Sequence, residues 1–308
     1  MRYKMAEEVD IVIIGGGPAG MQAALVLART RKSIVVYDDS APPRNGASHG
    51  VHNVLGLDGL TPAEIRAQAW SQINVYNQAE LREARVRDVV QTALGAFVVS
   101  TEDGEQVKAK KIILALGYND EHPEIEGFSE AWADTIISCP FCDGYENRDR
   151  VWAIVANSEM QATHFPAMLQ NWTSHIKLIL NNPDIELEAA FEQEMEARQI
   201  PIHRGTILAI EQVDGKVNSV LLDTEARVEV ETLLWIPSRI RTPLEQRLIV
   251  NFDLPLSDMG LIQTDEDQET TVKGLFAVGD VSSSKASAMG AAMAGSKAAY
   301  KIIKEWYS

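Results

Sequence analysis

The stretch VDIVIIGGGPAGMQAALVLART, residues 9–30, joins an apolar strand to a glycine turn and an alanine-rich helix, and a second apolar strand, KSIVVYDD, follows at 32–39. Gly15, Gly17 and Gly20 have the spacing G-x-G-x-x-G, and Asp38 stands 23 positions beyond Gly15 at the end of the second strand. Each glycine has a physical reason in such a pattern: a tight turn, close backbone approach to a pyrophosphate, and close contact of helix with strand. The acid accepts from ribose hydroxyls. An anion then sits at the helix N-terminus, where free N–H groups and the helix dipole favour negative charge. The stretch therefore reads as a dinucleotide-binding turn in an α/β fold.

Moving outward, TPAEIRAQAWSQINVY opens with Thr61, Pro62 and Glu64, a capping box with proline in the first helical turn. ALGAFVVSTEDGEQVKAKKIILALG reads as alternating strands turning at Asp103 and Gly104 and stopping at Gly117, a hinge position. From 118 the same order returns: a strand VWAIV, a helix ATHFPAMLQNW, a strand HIKLIL, a helix PDIELEAAFEQEMEARQ, a hairpin turning at Asp214 and Gly215, and a strand ETLLWI. The closing segment TVKGLFAVGDVSSSKASAMGAAMAGSKAAYKIIKEW is too short for a third domain and is expected to pack back on the first. The expected architecture is two Rossmann-like (three-layer ββα) nucleotide-binding domains, one discontinuous over 1–118 and 241–308 and the other inserted at 119–240.

A length of 308 residues suits two domains, each with its own core. A net charge of −16 opposes nonspecific binding to nucleic acid or to an anionic membrane. MRYKMAEEVD runs into the first strand without a signal core, and nowhere is there an apolar run of about 18 residues. A cytoplasmic address is the expectation. The chain's two cysteines both lie in SCPFCDGYE, residues 138–146. In a reducing compartment a structural disulfide is rare, which leaves a redox pair, inert buried thiols, or half a zinc site lacking a second Cys pair. Pro140 removes a donor and stiffens the loop, and Phe141 offers an apolar contact. No metal is expected.

With GGGPAG, NVLGLDG, IILALG, CPFCDG and GLFAVGDV in this order, the chain resembles the low-molecular-weight thioredoxin reductases along nearly its whole length. The resemblance implies FAD as cofactor, a homodimer built through the flavin domains, and a Cys139–Cys142 pair that exchanges electrons with the flavin and then with thioredoxin or a thioredoxin-like disulfide. It places Gly15, Gly17, Pro18, Ala19 and Gly20 around the FAD pyrophosphate, with Asp38 and Asp39 toward the adenosine ribose. Asn53 is implied near the flavin and Asp280, beside Gly279, at the ribityl chain or the adjoining phosphate, with a turn-forming acid in VGDV as the alternative; Gly117 and Ala288 complete the cofactor residues. Arg44 and Asn45, in PPRNGAS, look like the variant loop of fungal dithiol oxidases, for which a loop-capping role is the alternative. Cys142 would face the isoalloxazine, Cys139 would attack the partner's disulfide, and Asp143 matches the family's acid/base. Fungal dithiol oxidases usually carry His at that position, so the Asp favours the thioredoxin type.

The inserted domain departs from the family. In place of a second G-x-G-x-x-G/A the chain reads VWAIVANSEMQATH, and there is no glycine between Gly144 and Gly205. Where arginines meet a 2′-phosphate in relatives, residues 184–197 hold six acids and no base. The Arg-Gln pair that commonly opens the last helix is replaced by Ser287 and Ala288. These losses predict an oxidoreductase that does not use NADPH, similar to the ferredoxin-dependent or deeply rooted branches. Ferredoxin as donor would need local bases, for which Arg29, Arg31, Lys32, Lys108, Lys110 and Lys111 are candidates against a solvated face. Trp306 or Tyr307 is a candidate cover for the flavin, against ordinary helix-end packing. Two other functions stay open: a small-molecule dithiol oxidase using O₂, and a non-catalytic flavin-binding redox sensor.

Overall fold

A computed structural model describes residues 7–39, 41, 44 and 46–306; Asn45 and Tyr307 lie outside the described residues. The chain divides into two compact units. The first comprises the residues up to Gly46, Asn53–Asn119 and those from Ile240 on; the second comprises Ala47–His52 and Asp120–Arg239. The short segment Ala47–His52 thus groups with the inserted part of the chain rather than with its sequence neighbours.

In the first unit, β1 (Glu7–Ile14) leads through the glycine turn into α1 (Pro18–Ala28) and then β2 (Ile34–Asp38). Next come α2 (Pro62–Ile73), β3 (Ala79–Glu83), β4 (Val86–Gln91), β5 (Phe97–Thr101) and β6 (Gln106–Leu114). β7 (Asn119–Glu121) carries the chain toward the second unit. That unit contains α3 (Phe128–Ala131), β8 (Ile136–Ile137), the one-turn α4 (Pro140–Asp143), β9 (Trp152–Ala156), α5 (Glu159–Leu169), β10 (Ile176–Leu180) and α6 (Ala189–Ala197). It continues through β11 (Ile202–Arg204), β12 (Ile207–Val213), β13 (Lys216–Leu222), β14 (Arg227–Glu229) and β15 (Thr232–Trp235). The connecting strand β16 (Ser238–Ile240) pairs with β7, and the chain ends in α7 (Pro243–Asn251), β17 (Leu275–Ala277) and α8 (Ala288–Glu305). No helix among the described residues is long and apolar enough to cross a membrane.

The first sheet runs β3-β2-β1-β6-β5-β4. Its strand β6 is shared: Phe97 to Val99 of β5 run antiparallel to its first half, while β17 pairs parallel with Ile112–Leu114 at its end. Successive side chains of a strand point to opposite faces, so β1 feeds two cores. Ile11 and Ile13 join Leu27, Ala298 and Ile302 of α1 and α8, whereas Val12 and Ile14 join Val89, Phe97, Val99 and Leu248. Helices, parallel sheet and the β4–β5 hairpin make the three layers. The second unit repeats the plan, with a parallel sheet β11-β10-β9-β15-β8 beside the antiparallel β12-β13-β14. Asp214 and Gly215, both at positive φ (53° and 76°), turn the β12–β13 hairpin as a type I′ turn requires.

The reading of PDIELEAAFEQEMEARQ as one helix is too long at its start. Asp184 N–H is held by Asn182 Oδ1 at 3.0 Å in a local turn, and Ile185 is buried, so α6 begins only at Ala189.

The contact that fixes α8 on α1 is made by backbone, because a Cβ on Gly295 would strike the carbonyl of Ala19. Gly295→Ala is expected to destabilise the protein by roughly 1–3 kcal/mol, the usual cost of forcing extra volume into a packed contact. Urea unfolding followed by far-UV circular dichroism measures it, and Ala294→Gly serves as a cavity-forming control of opposite volume change.

Candidate functional site

The first unit presents an open turn. Gly15 has φ 109°, a conformation that disfavours any other residue, and donates its N–H to Tyr37 O at 2.8 Å. A Cβ there would strike the Ala115 carbonyl, one on Gly16 would strike the Asp38 carboxylate, and one on Gly20 would strike the Gly15 carbonyl. At Gly17, by contrast, a Cβ would meet nothing within 4 Å. Gly17 is the N-cap of α1, no side chain caps that helix, and its first turn holds no acid. The first turn of α1 thus borders free space without a competing carboxylate on the helix, which is what a pyrophosphate requires. These residues fit FAD.

Gly279 closes the far side: at φ 75°, its missing Cβ would lie 3.1 Å from Ala19 Cβ and 3.4 Å from Ala291 Cβ. Asp280 follows it in a short 3₁₀ turn, and Ala288 is the first residue of α8, whose cap Ser287 Oγ accepts the Gly290 N–H at 3.0 Å. Asp38 ends β2 beside the turn and is ion-paired with Arg66 of α2, a partner no local pattern in the sequence signals. Asp39 faces elsewhere, accepting from Arg85 Nε at 2.9 Å and from Ala41 N–H at 3.1 Å. Arg44 stacks its guanidinium 4.6 Å from the Tyr118 ring centroid, just after Gly117 at φ 60°. Asn53 is left-handed at φ 64° and donates its N–H to Asp58 Oδ1 at 2.7 Å, so its backbone shapes the NVLGLDG turn. Trp306 packs against the core shared by α1 and α8, with Lys32 Nζ 4.2 Å from its ring centroid: helix-end packing describes it.

The second unit carries the sulfur. Cys139 caps α4 and is disulfide-bonded to Cys142, with Cα atoms 5.3 Å apart. Pro140 occupies the first helical position, where a missing N–H costs nothing. Cys142 and Asp143 N–H both donate to Cys139 O, at 3.1 and 3.2 Å. Gly144 lets the turn lie against Trp172, whose ring atoms would be 2.8 Å from a Cβ, and Phe141 packs edge-on to the same ring at 5.5 Å while 64% exposed. Buried Asn147 anchors this segment: its Nδ2 donates to the carbonyls of Asp143 and Asp134 at 3.1 Å each, and its Oδ1 accepts from Thr232 Oγ1 at 3.1 Å and Arg150 at 2.7 Å. Burial pushes the Asp143 carboxyl up to about 6, the negative charge of Glu146 adds to the shift, and His52 opposes it. His52 Nε2 lies 3.4 Å from Glu146 Oε1.

The β9–α5 turn is the counterpart of the β1–α1 turn, and it is closed by its own side chains. Ser158 Oγ accepts the Gln161 N–H at 3.4 Å, and Gln161 Oε1 accepts the Asn157 N–H at 2.8 Å. Asn181 and Asn182 donate to the side chain and carbonyl of Asn157, and Glu159 stands in the first helical turn.

Residues 9–298 match the sequence profile of the family described as pyridine nucleotide-disulphide oxidoreductase. Thioredoxin reductase aclD of Aspergillus oryzae is 30% identical over 305 residues, 96% of each chain. A putative thioredoxin reductase TrxB from Bacillus anthracis superposes with TM-score 0.89 at 27% identity, over 97% of this chain and 99% of its own. An oxidoreductase from Agrobacterium tumefaciens gives 0.87 at 31% identity over 97% and 99%. With both units matched, the chain belongs to the pyridine nucleotide-disulphide oxidoreductase family and is a thioredoxin reductase-like flavin disulfide oxidoreductase that works with FAD.

Proposed function

We propose that the protein passes electrons between FAD and the Cys139–Cys142 disulfide, and onward to thioredoxin or a similar disulfide, without drawing them from NADPH. The observation that carries this reading is the contrast of the two turns. Around α1 the glycines leave room for a dinucleotide, whereas at α5 the Ser158 hydroxyl takes up the Gln161 N–H, the Gln161 side chain takes up the Asn157 N–H of the turn, and Glu159 would repel a phosphate. The thioredoxin reductases among the relatives supply the partner class.

In this reading Gly15, Gly17, Pro18, Ala19 and Gly20 hold the pyrophosphate, Asp38 the ribose, and Arg44, Asn53, Gly117, Gly279, Asp280 and Ala288 the remaining cofactor; Asp39 serves the loop through Arg85. Bound FAD supplies a two-electron carrier matched to a disulfide. In the reduced protein the Cys139 thiolate attacks the partner's disulfide, forming a mixed disulfide and releasing one partner thiolate. Cys142 then attacks the Cys139 sulfur, which restores the Cys139–Cys142 bond and releases the partner as a dithiol. Asp143, adjacent to Cys142, accepts and returns the protons that generate and quench these thiolates.

The donor is the finer part of the proposal. Of the candidate bases for ferredoxin, Lys108 pairs with Glu8 at 3.2 Å, Lys110 with Asp10 at 2.8 Å and Lys111 with Glu305 at 2.6 Å, so these lysines add little net positive charge there. That pairing, with the closed α5 turn, favours a second reading in which electrons run from a dithiol through the cysteines and flavin to O₂. A homodimer agrees with Met289, Met293 and Tyr300 standing more than half exposed along α8, and a cytoplasmic setting keeps the thiols reducible.

Three measurements test these statements. Anaerobic titration of the flavin absorbance should show bleaching by dithionite or by excess dithiol and none by NADPH or NADH; rapid bleaching by NADPH refutes the reading, and in a separate aerobic assay steady peroxide formation from a dithiol selects the second one. Gly17→Val should fold, at a cost of about 1 kcal/mol for the poorer N-cap, since the added atoms enter open space, yet purify without flavin absorbance. Asp143→Asn reports the cost of the raised carboxyl. Because its folded pKa, about 6, lies above the ordinary 3.8, the stability it confers is full below pH 3.8 and is lost as pH rises through 6. The variant should therefore match the wild type at pH 4 and exceed it at pH 8, by roughly 1–3 kcal/mol, in urea unfolding.

A further inference from the structure

We propose that His52 and Glu146 are positioning residues for the dithiol, a histidine–carboxylate pair that decides at which pH Asp143 exchanges a proton with the sulfurs. This rests on the reading of Asp143 as the proton acceptor for the cysteines. His52 comes from Ala47–His52, the segment that leaves its sequence neighbours to join the unit holding the disulfide. There its Nε2 is 3.4 Å from Glu146 Oε1. Glu146 follows Asp143 by one helical turn, and the backbone between them is held by Asn147, which donates to the Asp143 carbonyl through both its N–H and its Nδ2.

The charges that act on Asp143 are then few. Glu146 favours its neutral form and His52 its ionised form, in that order of strength. Of the other charged side chains of the segment, which include Asp149, Arg148 donates to the Tyr145 carbonyl at 2.6 Å and Arg150 to Asn147 Oδ1 at 2.7 Å. The Cys142 thiol, once reduced, is the remaining titrating neighbour. The step itself is a proton transfer with no change of redox state: a cysteine S–H loses its proton, the Asp143 carboxylate becomes a carboxylic acid, and the thiolate is left to attack.

Two opposed charges predict two opposed displacements, which a merely structural role does not. The FAD-loaded protein is reduced with dithiothreitol, desalted without oxygen and mixed with 5,5′-dithiobis(2-nitrobenzoate) from pH 4.5 to 8.5, and the midpoint of the acid limb is read. His52→Gln should raise that midpoint by about 0.5–1 unit and Glu146→Gln should lower it by a similar amount. Asp143→Asn should leave only the intrinsic ionisation of the thiol and move the limb toward the ordinary thiol range, about 8.5. Direct ¹³C NMR titration of the Asp143 carboxyl in the oxidised protein, where no turnover occurs, should show the same two displacements. If Asp143→Asn moves the limb but the two other variants leave it in place or move it in one direction, this inference is overturned and the role of Asp143 stands. A limb that Asp143→Asn leaves in place overturns both.

Discussion

The first unit depends on backbone meeting backbone around the N-terminal end of α1. Gly15 presses on the Ala115 carbonyl, Gly20 on the Gly15 carbonyl, and Gly295 of α8 on the Ala19 carbonyl, each at a separation that leaves no room for a Cβ. Three elements, the β1 turn, β6 and α8, are thereby fixed against one helix end. Rigidity and function coincide here. The same absence of side chains that lets the segments pack leaves the α1 N–H groups uncapped, and an uncapped helix end is stabilised by an anion.

The second unit shows what becomes of this design when the glycines are gone. Strand, turn and helix remain, as the register of β9 with β10 and β15 makes plain. With Asn157, Ser158 and Glu159 in the turn, however, one helix N–H, that of Gln161, finds its partner in the Ser158 hydroxyl, and the turn is tied by Gln161 to the Asn157 N–H. Such a cap contributes about 1 kcal/mol. It does so at all times, whereas an anion stabilises only when bound.

Much of this was legible in sequence because the decisive constraints are local. The glycine spacing, the acid after β2, the Thr61–Glu64 capping box and the Asp214–Gly215 turn are all written within a few residues, and the structure forms each of them. What the sequence hides is what folding brings from afar. Arg66 on Asp38, His52 beside Glu146, and the paired lysines of β6 each need a contact between distant segments. Asn147 in GYEN has no pattern to mark it, since its role arises from Asp134 and Thr232 meeting it in space. The long reading of α6 failed for a related reason: acids and apolar residues at helical spacing do not reveal that Ile185 is needed in the core before the helix starts.

The chemistry around the disulfide asks for opposed properties in a small space. A thiolate is favoured by positive charge and solvent, while a carboxyl that holds a proton near neutrality needs burial and negative neighbours. The segment separates these demands by position. Cys139 is the cap of a one-turn helix, at its electropositive end, whereas Asp143 closes that turn, half-buried, with Glu146 following. One helical turn is too short for a strong dipole, so the balance falls to burial, which raises the Asp143 carboxyl, and to Glu146 and His52, which act on it in opposite directions. The segment that carries His52, Ala47–His52, groups with the sulfur-bearing unit rather than with its sequence neighbours.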